Sequence, residues 1–384
     1  MQKKVEFKAY CSNPEKVSTI CQSIGARLIC QDRQTDTYFS VSSVGRLKLR
    51  QSNKYGGSFI YYERLDSPTP RESSFIIVPT ASDVSPLLSL FSKAIGIRTV
   101  VHKKRDTYGW DNSFVNIDYV KGLGNFIEIE VDIERAGSFS RALQIAEKLK
   151  RLLEISQADI LSWSYAELKV MCEASSHWHA ELARTHKRGT LFLLDGASGS
   201  GKTTLARRLL DNSELYLTFV PRYCTRSPRQ NETTESEYVF VSHEEFTNLA
   251  ATGAFIEYRE FKFGMSYGLP WRQAIAPLMA GSNALGIMSL GSVRHVKNIF
   301  PEAITILVNA SVTTIRNRLE ARGANTREQI EERVENARTV DAYKGFYDYV
   351  IDNDDGMLDQ AEASIKRIIK SYESLTASKN PWVE

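Results

Sequence analysis

One segment constrains the fold of this chain more than any other: the run GASGSGKTT at residues 196–204. An apolar run at residues 191–194 precedes it and predicts a buried strand, and residues 205–210 follow with helical spacing. A strand, a glycine-rich turn and a helix form the context that the G-x-x-x-x-G-K-[ST] pattern requires. The sequence therefore predicts a loop that wraps around the phosphates of a nucleoside triphosphate.

The residues of this loop have separate predicted tasks. Glycines let the backbone approach phosphate oxygens, and the amide groups at the start of the helix attract the anion. Lys202 would reach the β- and γ-phosphates, and the Thr203 hydroxyl would hold Mg²⁺. The predicted ATP-binding residues are Gly196, Ser198, Gly199, Ser200, Gly201, Lys202, Thr203 and Thr204.

Length and composition exclude several classes of protein. A chain of 384 residues with 42% hydrophobic and 25% charged residues is ordinary for two or three globular domains. The net charge of +3 does not indicate nucleic-acid binding. Five cysteines without a C-x-x-C pair indicate reduced thiols rather than a disulfide framework. Because no apolar run has transmembrane length and no signal peptide is evident, we expect a cytoplasmic protein without a membrane partner.

The first half of the chain alternates apolar and polar residues over short segments. The predicted strands are residues 3–9, 37–41, 46–51, 59–64, 73–79, 100–108, 114–120 and 126–133, and the predicted helices are residues 14–24 and 86–94. Such a series predicts an antiparallel sheet or a closed barrel. Each strand has a charged side and an apolar side, with cations dominant on some strands and acids on another. This pattern fits a solvated outer face, or a barrel whose Lys and Arg grip a triphosphate while carboxylates hold Mg²⁺ or Mn²⁺.

Six segments of this half occur together in an informative order: VEFKA at 5–9, DTYF at 36–39, GRLKLR at 45–50, IYYER at 60–64, KKR at 103–105 and LGNFIEIE at 123–130. Over roughly residues 1–170 they resemble the CYTH superfamily of class IV adenylyl cyclases and of thiamine or inorganic triphosphatases, which are built on a triphosphate tunnel. By that resemblance the polyphosphate ligands are Lys8, Arg46, Lys48, Arg50, Arg64, Lys103 and Arg105. The implied metal ligands are Glu6, Glu128 and Glu130, with Asp118 near the metal.

One departure from the CYTH pattern affects the metal. The hallmark of the superfamily is Glu-x-Glu-x-Lys near the N-terminus, and Lys4 stands here at the position of the first Glu. One metal-binding carboxylate is therefore absent. Either the tunnel works with fewer acids, or it binds phosphate without turnover.

The second half resembles guanylate kinase and its relatives over roughly residues 189–372. The segments that carry the likeness are residues 222–232, 238–242, 255–258 and 266–270, then RLEARG at 318–323, IEER at 330–333 and DYVIDN at 348–353. The resemblance implies that the acceptor phosphate is held by Arg226, Arg229, Tyr238 and Tyr267, and that Glu257 contacts the base or sugar of the acceptor. It also implies a lid, whose Arg318, Arg322 and Arg333 would join Lys202 as catalytic cations.

A second departure concerns the acceptor. Guanylate kinases carry an Ile-Asp-x-x-Gly run on a central strand, and Met288 occupies the Asp position here. The run SLGSVR at residues 289–294 is instead similar to the ribose 1,5-bisphosphate kinase branch. We therefore expect GMP to be a poor acceptor, while kinase chemistry is retained.

These features together predict a two-domain enzyme. Its fold class is an α+β antiparallel triphosphate-tunnel barrel (residues 1–172), a linker (173–188) and an α/β P-loop domain similar to guanylate kinase (189–384). The kinase would transfer a phosphoryl group from ATP, with Mg²⁺ or Mn²⁺, to a nucleoside monophosphate or a phosphorylated ribose. The alternatives are a class IV adenylyl cyclase or triphosphatase with an accessory kinase domain, and a non-catalytic nucleotide-binding regulator. The oligomeric state stays open, with a homodimer as one option.

Overall fold

The computed structural model describes residues 1–41, 45–63, 69–80, 83–185, 188–228, 237–261, 264–321 and 326–377. The chain divides into two compact units. The first comprises residues 1–173 with 247–253 and 259–264, and the second comprises residues 174–246, 254–258 and 265–384. None of the described helices is both long and apolar enough to cross a membrane. All five cysteines are free thiols, as the sequence predicted.

The first unit combines antiparallel strands with a few helices. The strands are β1 (Gln2–Tyr10), β2 (Arg27–Phe39), β3 (Arg46–Ser52), β4 (Gly56–Glu63), β5 (Arg71–Pro79), β6 (Ile97–Trp110), β7 (Ser113–Val120), β8 (Gly124–Asp132) and β9 (Ile160–Leu161). The helices are α1 (Pro14–Ser23), α2 (Ser85–Ile95), α3 (Ile133–Ala136), α4 (Phe139–Leu152) and α5 (Tyr165–Ala183).

Eight of these strands close into a barrel, which confirms the predicted architecture. Their order is β5-β4-β3-β2-β6-β7-β8-β1, and a pairing of β5 with β1 completes the ring. The short β9 pairs with Lys8 and Ala9, near the C-terminal end of β1. The long β2 begins ten residues before the predicted strand, because the residues that it buries there, Asp32, Gln34 and Asp36, are polar and give no apolar alternation.

The apolar core of this unit lies outside the barrel wall. Val5, Phe7 and Ala9 of β1 are buried in one cluster with Ala146 and Leu149 of α4. Because side chains alternate along a strand, the even-numbered residues of β1 face the barrel interior. The helices therefore cover the apolar side of the sheet, and the charged side remains for a site within the barrel.

Helix α5 differs from the prediction. The sequence predicted a linker over residues 173–188, but α5 continues to Ala183. The reason is that residues 173–183 contain neither glycine nor proline to end the helix. The division between the two units falls inside it, between Glu173 and Ala174. The borders of the domains stay a prediction.

The second unit has two sheets. Its strands are β10 (Leu191–Asp195), β11 (Leu217–Val220), β12 (Arg222–Cys224), β13 (Tyr238–Phe240), β14 (Phe255–Glu260), β15 (Ser266–Pro270), β16 (Asn283–Ile287), β17 (Ile304–Asn309) and β18 (Tyr349–Asp352). Its helices are α6 (Lys202–Leu210), α7 (His243–Ala251), α8 (Trp271–Met279), α9 (Val293–Ile299), α10 (Val312–Ala321), α11 (Arg327–Arg338) and α12 (Leu358–Ala377), and α7 belongs to this unit only up to Phe246.

The larger sheet places the glycine-rich loop at its centre. Its strands are parallel in the order β11-β16-β10-β17-β18, so β10 is the middle strand. Phe192 and Leu194 of β10 pack against Leu205 of α6 and Ile365 of α12 in one apolar cluster. The smaller sheet has the order β13-β12-β15-β14. In open α/β sheets ligands bind beyond the carboxyl ends of the strands, which is where residues 196–201 lie.

Two candidate phosphate-binding sites

The loop between β10 and α6 has a backbone that requires glycine. Gly196 and Gly201 adopt positive φ angles of 144° and 99°. A Cβ atom at Gly196 would lie 2.2 Å from the carbonyl oxygen of Val308, and one at Gly201 would lie 2.3 Å from Nδ2 of Asn353. The same Nδ2 donates a hydrogen bond of 2.7 Å to the carbonyl oxygen of Ser200. The loop is thus packed closely against β17 and the residue after β18.

The side chain of Lys202 lies across this loop. Its Nζ donates to the carbonyl oxygens of Gly196 at 2.5 Å and of Ala197 at 2.9 Å. A phosphate oxygen would bind the ammonium more strongly than a neutral carbonyl does. Thr203, in the first turn of α6, is half-buried, and Thr204 is exposed. The loop therefore offers an ammonium, a hydroxyl and the start of a helix to an incoming triphosphate.

Two of the predicted lid arginines reach the same loop. Nη1 of Arg318, on α10, donates to the carbonyl oxygen of Gly199 at 3.4 Å. Nη1 of Arg333, on α11, donates to Oγ of Ser198 at 3.0 Å. Arg322 lies outside the described residues. Cations from three helices therefore meet at one loop, as phosphoryl transfer requires.

Arg226 lies beside Tyr238, which in turn lies beside Tyr267, the second of the predicted acceptor tyrosines. Its guanidinium carbon is 4.8 Å from the ring centroid of Tyr238, and the rings of Tyr238 and Tyr267 are 5.9 Å apart. Burial raises the pKa of Tyr238, so its hydroxyl stays protonated and can donate to a phosphate. Arg229 falls outside the described residues. The smaller sheet thus brings together one arginine and two phenols of the predicted set.

The carboxylate of Glu257 is fully buried and already paired. Oε1 accepts from Nη2 of Arg222 at 3.1 Å, and Oε2 accepts from Oγ of Ser292 at 3.0 Å. The Arg222 guanidinium also donates to Oγ of Ser289 at 2.7 Å and lies 5.3 Å from the ring centroid of Tyr267. The sequence did not single out Arg222, although it precedes Arg226 by four residues. The contact of Glu257 with the base or sugar of the acceptor stays a prediction.

The barrel interior of the first unit holds a second cluster of cations. Lys48 and Arg50 both bind Asp36, at 2.8 Å and 2.7 Å, and these two cations line a cavity of about 260 Å³. Burial and the charge of Arg50 lower the pKa of Lys48 to about 7, although Asp36 opposes the shift. An anion that enters the cavity would relieve this crowding of positive charges.

A similar group lies on β6 and β7. Arg105 donates to Asp118 at 2.7 Å, and Lys103 donates to the same carboxylate at 3.4 Å. The Tyr165 hydroxyl also donates to Asp118, at 2.8 Å. Burial would raise the pKa of Asp118, but the charges of Arg105 and Lys103 lower it to about 2. Burial and Arg105 lower the pKa of Lys103 to about 8. Arg105 lies directly opposite Asp118 in the sheet and binds its carboxylate, and the position of Asp118 near a metal stays a prediction.

Arg46 has an unexpected acidic partner. Its Nε donates at 2.9 Å to Oε1 of Glu167 on α5, and Arg98 donates to the same oxygen at 3.1 Å. Burial would raise the pKa of Glu167, but these two arginines hold it well below its usual range. No sequence signal distinguished Glu167, since it lies within an ordinary helical pattern. Arg64, the remaining predicted polyphosphate ligand, is not among the described residues.

Three carboxylates in the barrel approach one another. Glu6, Glu128 and Glu130 each bring an oxygen within 4.8 Å of the other two, as the predicted metal site requires. Cations of the chain are already bound to all three. Lys4 pairs with Glu6 at 2.7 Å and with Glu130, and Glu128 contacts Lys8. The donor set would suit a divalent cation only without Lys4, so this site does not fit the implied metal.

Comparison with known proteins identifies both halves. The guanylate kinase family model matches residues 188–372. Over 187 residues the chain is 35% identical to the guanylate kinase of Neisseria gonorrhoeae. The aligned region covers 48% of this chain and 89% of that enzyme. The chain belongs to the guanylate kinase family. The CYTH domain model matches residues 2–165.

Two solved structures are also similar, one to each half. A guanylate kinase from Anaplasma phagocytophilum is 23% identical, with a TM-score of 0.40, and covers 52% of this chain and 98% of that one. A protein from Pyrococcus horikoshii is 24% identical, with a TM-score of 0.38, and covers 43% of this chain and 98% of that one. The two family models support phosphoryl transfer from a nucleotide by the second unit and binding or hydrolysis of a triphosphate by the first.

A buried carboxylate lies at the start of the glycine-rich loop. Asp195, the last residue of β10, is fully buried, and its two oxygens accept hydrogen bonds from the Gly196 amide (2.6 Å) and the Tyr347 hydroxyl. Burial raises its pKa to about 6. Leu194 pairs with Ile287, the last residue of β16, so Asp195 and Met288 are the next residues along two neighbouring chain segments. The sequence did not single out Asp195, although an acid that ends an apolar run is a signal that could have found it.

Proposed function

We propose that the second unit transfers the γ-phosphoryl group of ATP to a phosphorylated acceptor. The observation that carries this proposal is the convergence of Lys202, Arg318 and Arg333 on one glycine-rich loop. Phosphoryl transfer needs little covalent chemistry, since positioning and neutralisation of the developing charge supply most of the acceleration. These three cations provide both.

Each group of the loop has a defined part in this reaction. Lys202 binds the phosphates that are transferred, and the two arginines neutralise charge on the equatorial oxygens. The half-buried hydroxyl of Thr203, next to Lys202, has the position and chemistry to hold the Mg²⁺ that accompanies ATP. Held there, the ion would withdraw negative charge from the phosphates that Lys202 binds. No group of the chain needs to form a covalent intermediate.

The acceptor is a nucleoside monophosphate or a phosphorylated ribose. Arg226 with the hydroxyls of Tyr238 and Tyr267 forms a clamp for one phosphate group. Two observations disfavour GMP. Met288 is buried and apolar, so it cannot bind a metal or polar groups of the acceptor, and the oxygens of Glu257 are engaged by Arg222 and Ser292. We therefore favour a phosphorylated sugar over guanine nucleotides.

An ATP-consumption assay coupled to product detection tests this proposal. The full chain is offered nucleoside monophosphates and ribose mono- and bisphosphates in turn, with Lys202→Ala as the inactive control. We expect a ribose phosphate to be the best acceptor. A kcat/KM for GMP near or above about 10⁴ M⁻¹s⁻¹ would instead make the protein an ordinary guanylate kinase. The absence of turnover with every acceptor offered would favour the non-catalytic regulator.

We propose that the first unit binds a triphosphate or inorganic polyphosphate in its barrel. Six cations line the described part of the cavity with four carboxylates, and Asp36 and Asp118 hold four of these cations in place. The adenylyl cyclase and triphosphatase alternatives require cleavage of a bound triphosphate, and product formation from ATP or tripolyphosphate by the Lys202→Ala chain would support them.

For the chain as a whole, the intact Lys202 of the second unit favours an enzyme over a non-catalytic regulator. A cytoplasmic homodimer is compatible with either function, and light scattering of the purified chain measures its oligomeric state.

A further inference from the structure

We propose that the ammonium group of Lys4 is a built-in cation that takes the place of a divalent metal between Glu6 and Glu130, so that the barrel binds polyphosphate without a metal ion. The inference rests on the proposed polyphosphate binding by the first unit. Its core is a contact: the Nζ of Lys4 pairs with Glu6 at 2.7 Å and also with Glu130.

Strand alternation and register create the need for this cation. Lys4, Glu6 and Lys8 are alternate residues of β1, and all three line the barrel cavity. The pairing of β1 with β8 sets Glu6 directly opposite Glu130. Two carboxylates opposite each other in a sheet repel, and the repulsion is stronger where water is scarce. A cation between them is therefore required, and Lys4 supplies it from the same strand.

The third carboxylate is neutralised in the same way. Glu128 lies opposite Lys8 in the sheet, and its oxygens contact the ammonium of Lys8 and the guanidinium of Arg105. Each of the three carboxylates is therefore paired with a cationic side chain of the same protein. A divalent cation binds carboxylate groups by their lone pairs, so it would have to displace these partners. The displaced Lys4 would then lie beside the metal and repel it.

The arrangement leaves Lys4 able to bind an anion. An ammonium has three N–H donors, and two are directed at Glu6 and Glu130 in the described part of the barrel. About a fifth of the Lys4 side chain is exposed, and it lines the cavity together with Lys48 and Lys103. A metal ion in such a barrel would bridge carboxylates to phosphate oxygens. Here Lys4 can bridge them by hydrogen bonds.

Calorimetric titration of the full chain with tripolyphosphate tests the first consequence. The protein carries Lys202→Ala, because the glycine-rich loop would otherwise compete for the ligand. We expect the dissociation constant in EDTA to agree within about twofold with that in Mg²⁺. Glu130→Gln removes a negative charge beside the anion, so we expect equal or tighter binding. A loss of tenfold or more in EDTA or on Glu130→Gln would show that a metal bridges the ligand, and would overturn the proposal.

Titration with Mn²⁺ alone, followed by electron paramagnetic resonance, tests the second consequence. Lys4→Gln leaves Glu6 and Glu130 without their bridging ammonium, so this variant should gain a Mn²⁺ site that the parent chain lacks. Lys3→Gln is the matched control: Lys3 is the adjacent lysine of β1, is more than half exposed and pairs with Glu72. It should gain no site. A Mn²⁺ site in the parent chain that Glu6→Gln removes would contradict the proposal.

The two measurements fail in different ways. If tripolyphosphate does not bind at all, the proposed function of the barrel is wrong, whereas a Mn²⁺ site gained only by Lys4→Gln would still support the substitution of the metal by Lys4. If Lys4→Gln does not fold, the EDTA comparison and Glu130→Gln decide the question without it.

Discussion

The two units prepare for phosphate by different physical means. In the barrel, charged side chains on paired strands are buried, and each of Lys48, Arg50 and Arg105 is bound to a carboxylate of the chain. In the second unit, the glycine-rich loop supplies backbone geometry, and its arginines come from α10 and α11; the acidic partner of Arg318, Asp355, is exposed. The barrel therefore holds its charges in fixed positions, whereas the loop recruits them from its surroundings.

In the absence of ligand, the two units depend on their cations for stability to different extents. A buried ion pair that loses one member leaves an uncompensated charge in a medium of low dielectric constant, which is costly. A partly exposed cation can be removed without that penalty, because water solvates what remains. Barrel cations should thus contribute to folding as well as to binding, and loop cations should contribute mainly to catalysis. Four substitutions test this contrast.

The largest effect is expected at Arg105. Arg105→Ala leaves Asp118 and Glu128 buried with fewer cations, and we expect the free energy of unfolding to fall by about 3–5 kcal/mol. Denaturant unfolding followed by circular dichroism measures it. Lys104→Ala removes the neighbouring lysine of the same strand, which is half exposed, and should change stability by less than about 0.5 kcal/mol. Equal, small losses for both variants would show that the barrel charges are not structural.

The converse is expected at Lys202. Lys202→Ala should reduce phosphoryl transfer by about 10²–10³-fold, because one preorganised donor to the transferred phosphates is lost. The melting temperature should be nearly unchanged. Arg207→Ala, on the same helix but exposed and paired with Glu237, is the control and should retain full turnover. A Lys202→Ala protein that is active but unstable would reverse the contrast between the two units.

The sequence predicted most of the barrel because one physical signal is repeated. Alternation of charged and apolar residues located the eight strands and assigned the cations of β3 and β6 to one face. It failed where the buried face is polar, as at Asp32 and Gln34 of β2. Pairing across strands cannot be predicted from spacing along one strand. The partnership of Asp118 with Arg105 and the contact of Lys4 with Glu130 were therefore missed.

Prediction of the second site was limited in a different way. The spacing of glycines, lysine and threonine located the loop, since those residues are contiguous in sequence. Arg222, Asp195 and Tyr347 contribute through contacts that join distant parts of the chain, and Tyr347 reaches Asp195 across 152 positions. Resemblance to a family suggested Arg318 and Arg333. It did not indicate Arg222, whose bond to Glu257 bears on the choice of acceptor.

A smaller effect is expected at Arg226, where binding rather than chemistry is altered. Arg226→Ala should raise the KM for the acceptor by roughly one to two powers of ten, because a charge-assisted contact contributes about 1.5–3 kcal/mol. The KM for ATP should change little. Arg272→Ala, on the exposed face of α8, is the control for a lost positive charge. A parallel rise in both KM values would contradict the assignment of Arg226 to the acceptor.

The smallest effect concerns protons in the barrel. Burial and Arg50 lower the pKa of Lys48 to about 7. At pH 8, Lys48 is therefore neutral in most molecules whose barrel is empty. A bound polyphosphate favours the charged form and must raise that pKa, so binding takes up a proton above pH 7. Affinity for tripolyphosphate in the Lys202→Ala chain should therefore fall as pH rises from 6.5 to 8, by up to about tenfold from this group, since one pKa unit corresponds to 1.36 kcal/mol.

Calorimetry in two buffers of different ionisation enthalpy counts the protons that are taken up when tripolyphosphate binds. Lys48→Arg keeps the charge at every pH and corrects for protonation of the ligand itself. It should take up fewer protons than the parent. Equal uptake by both would place the titrating group elsewhere, and the barrel would then hold its cations fully charged before the ligand arrives.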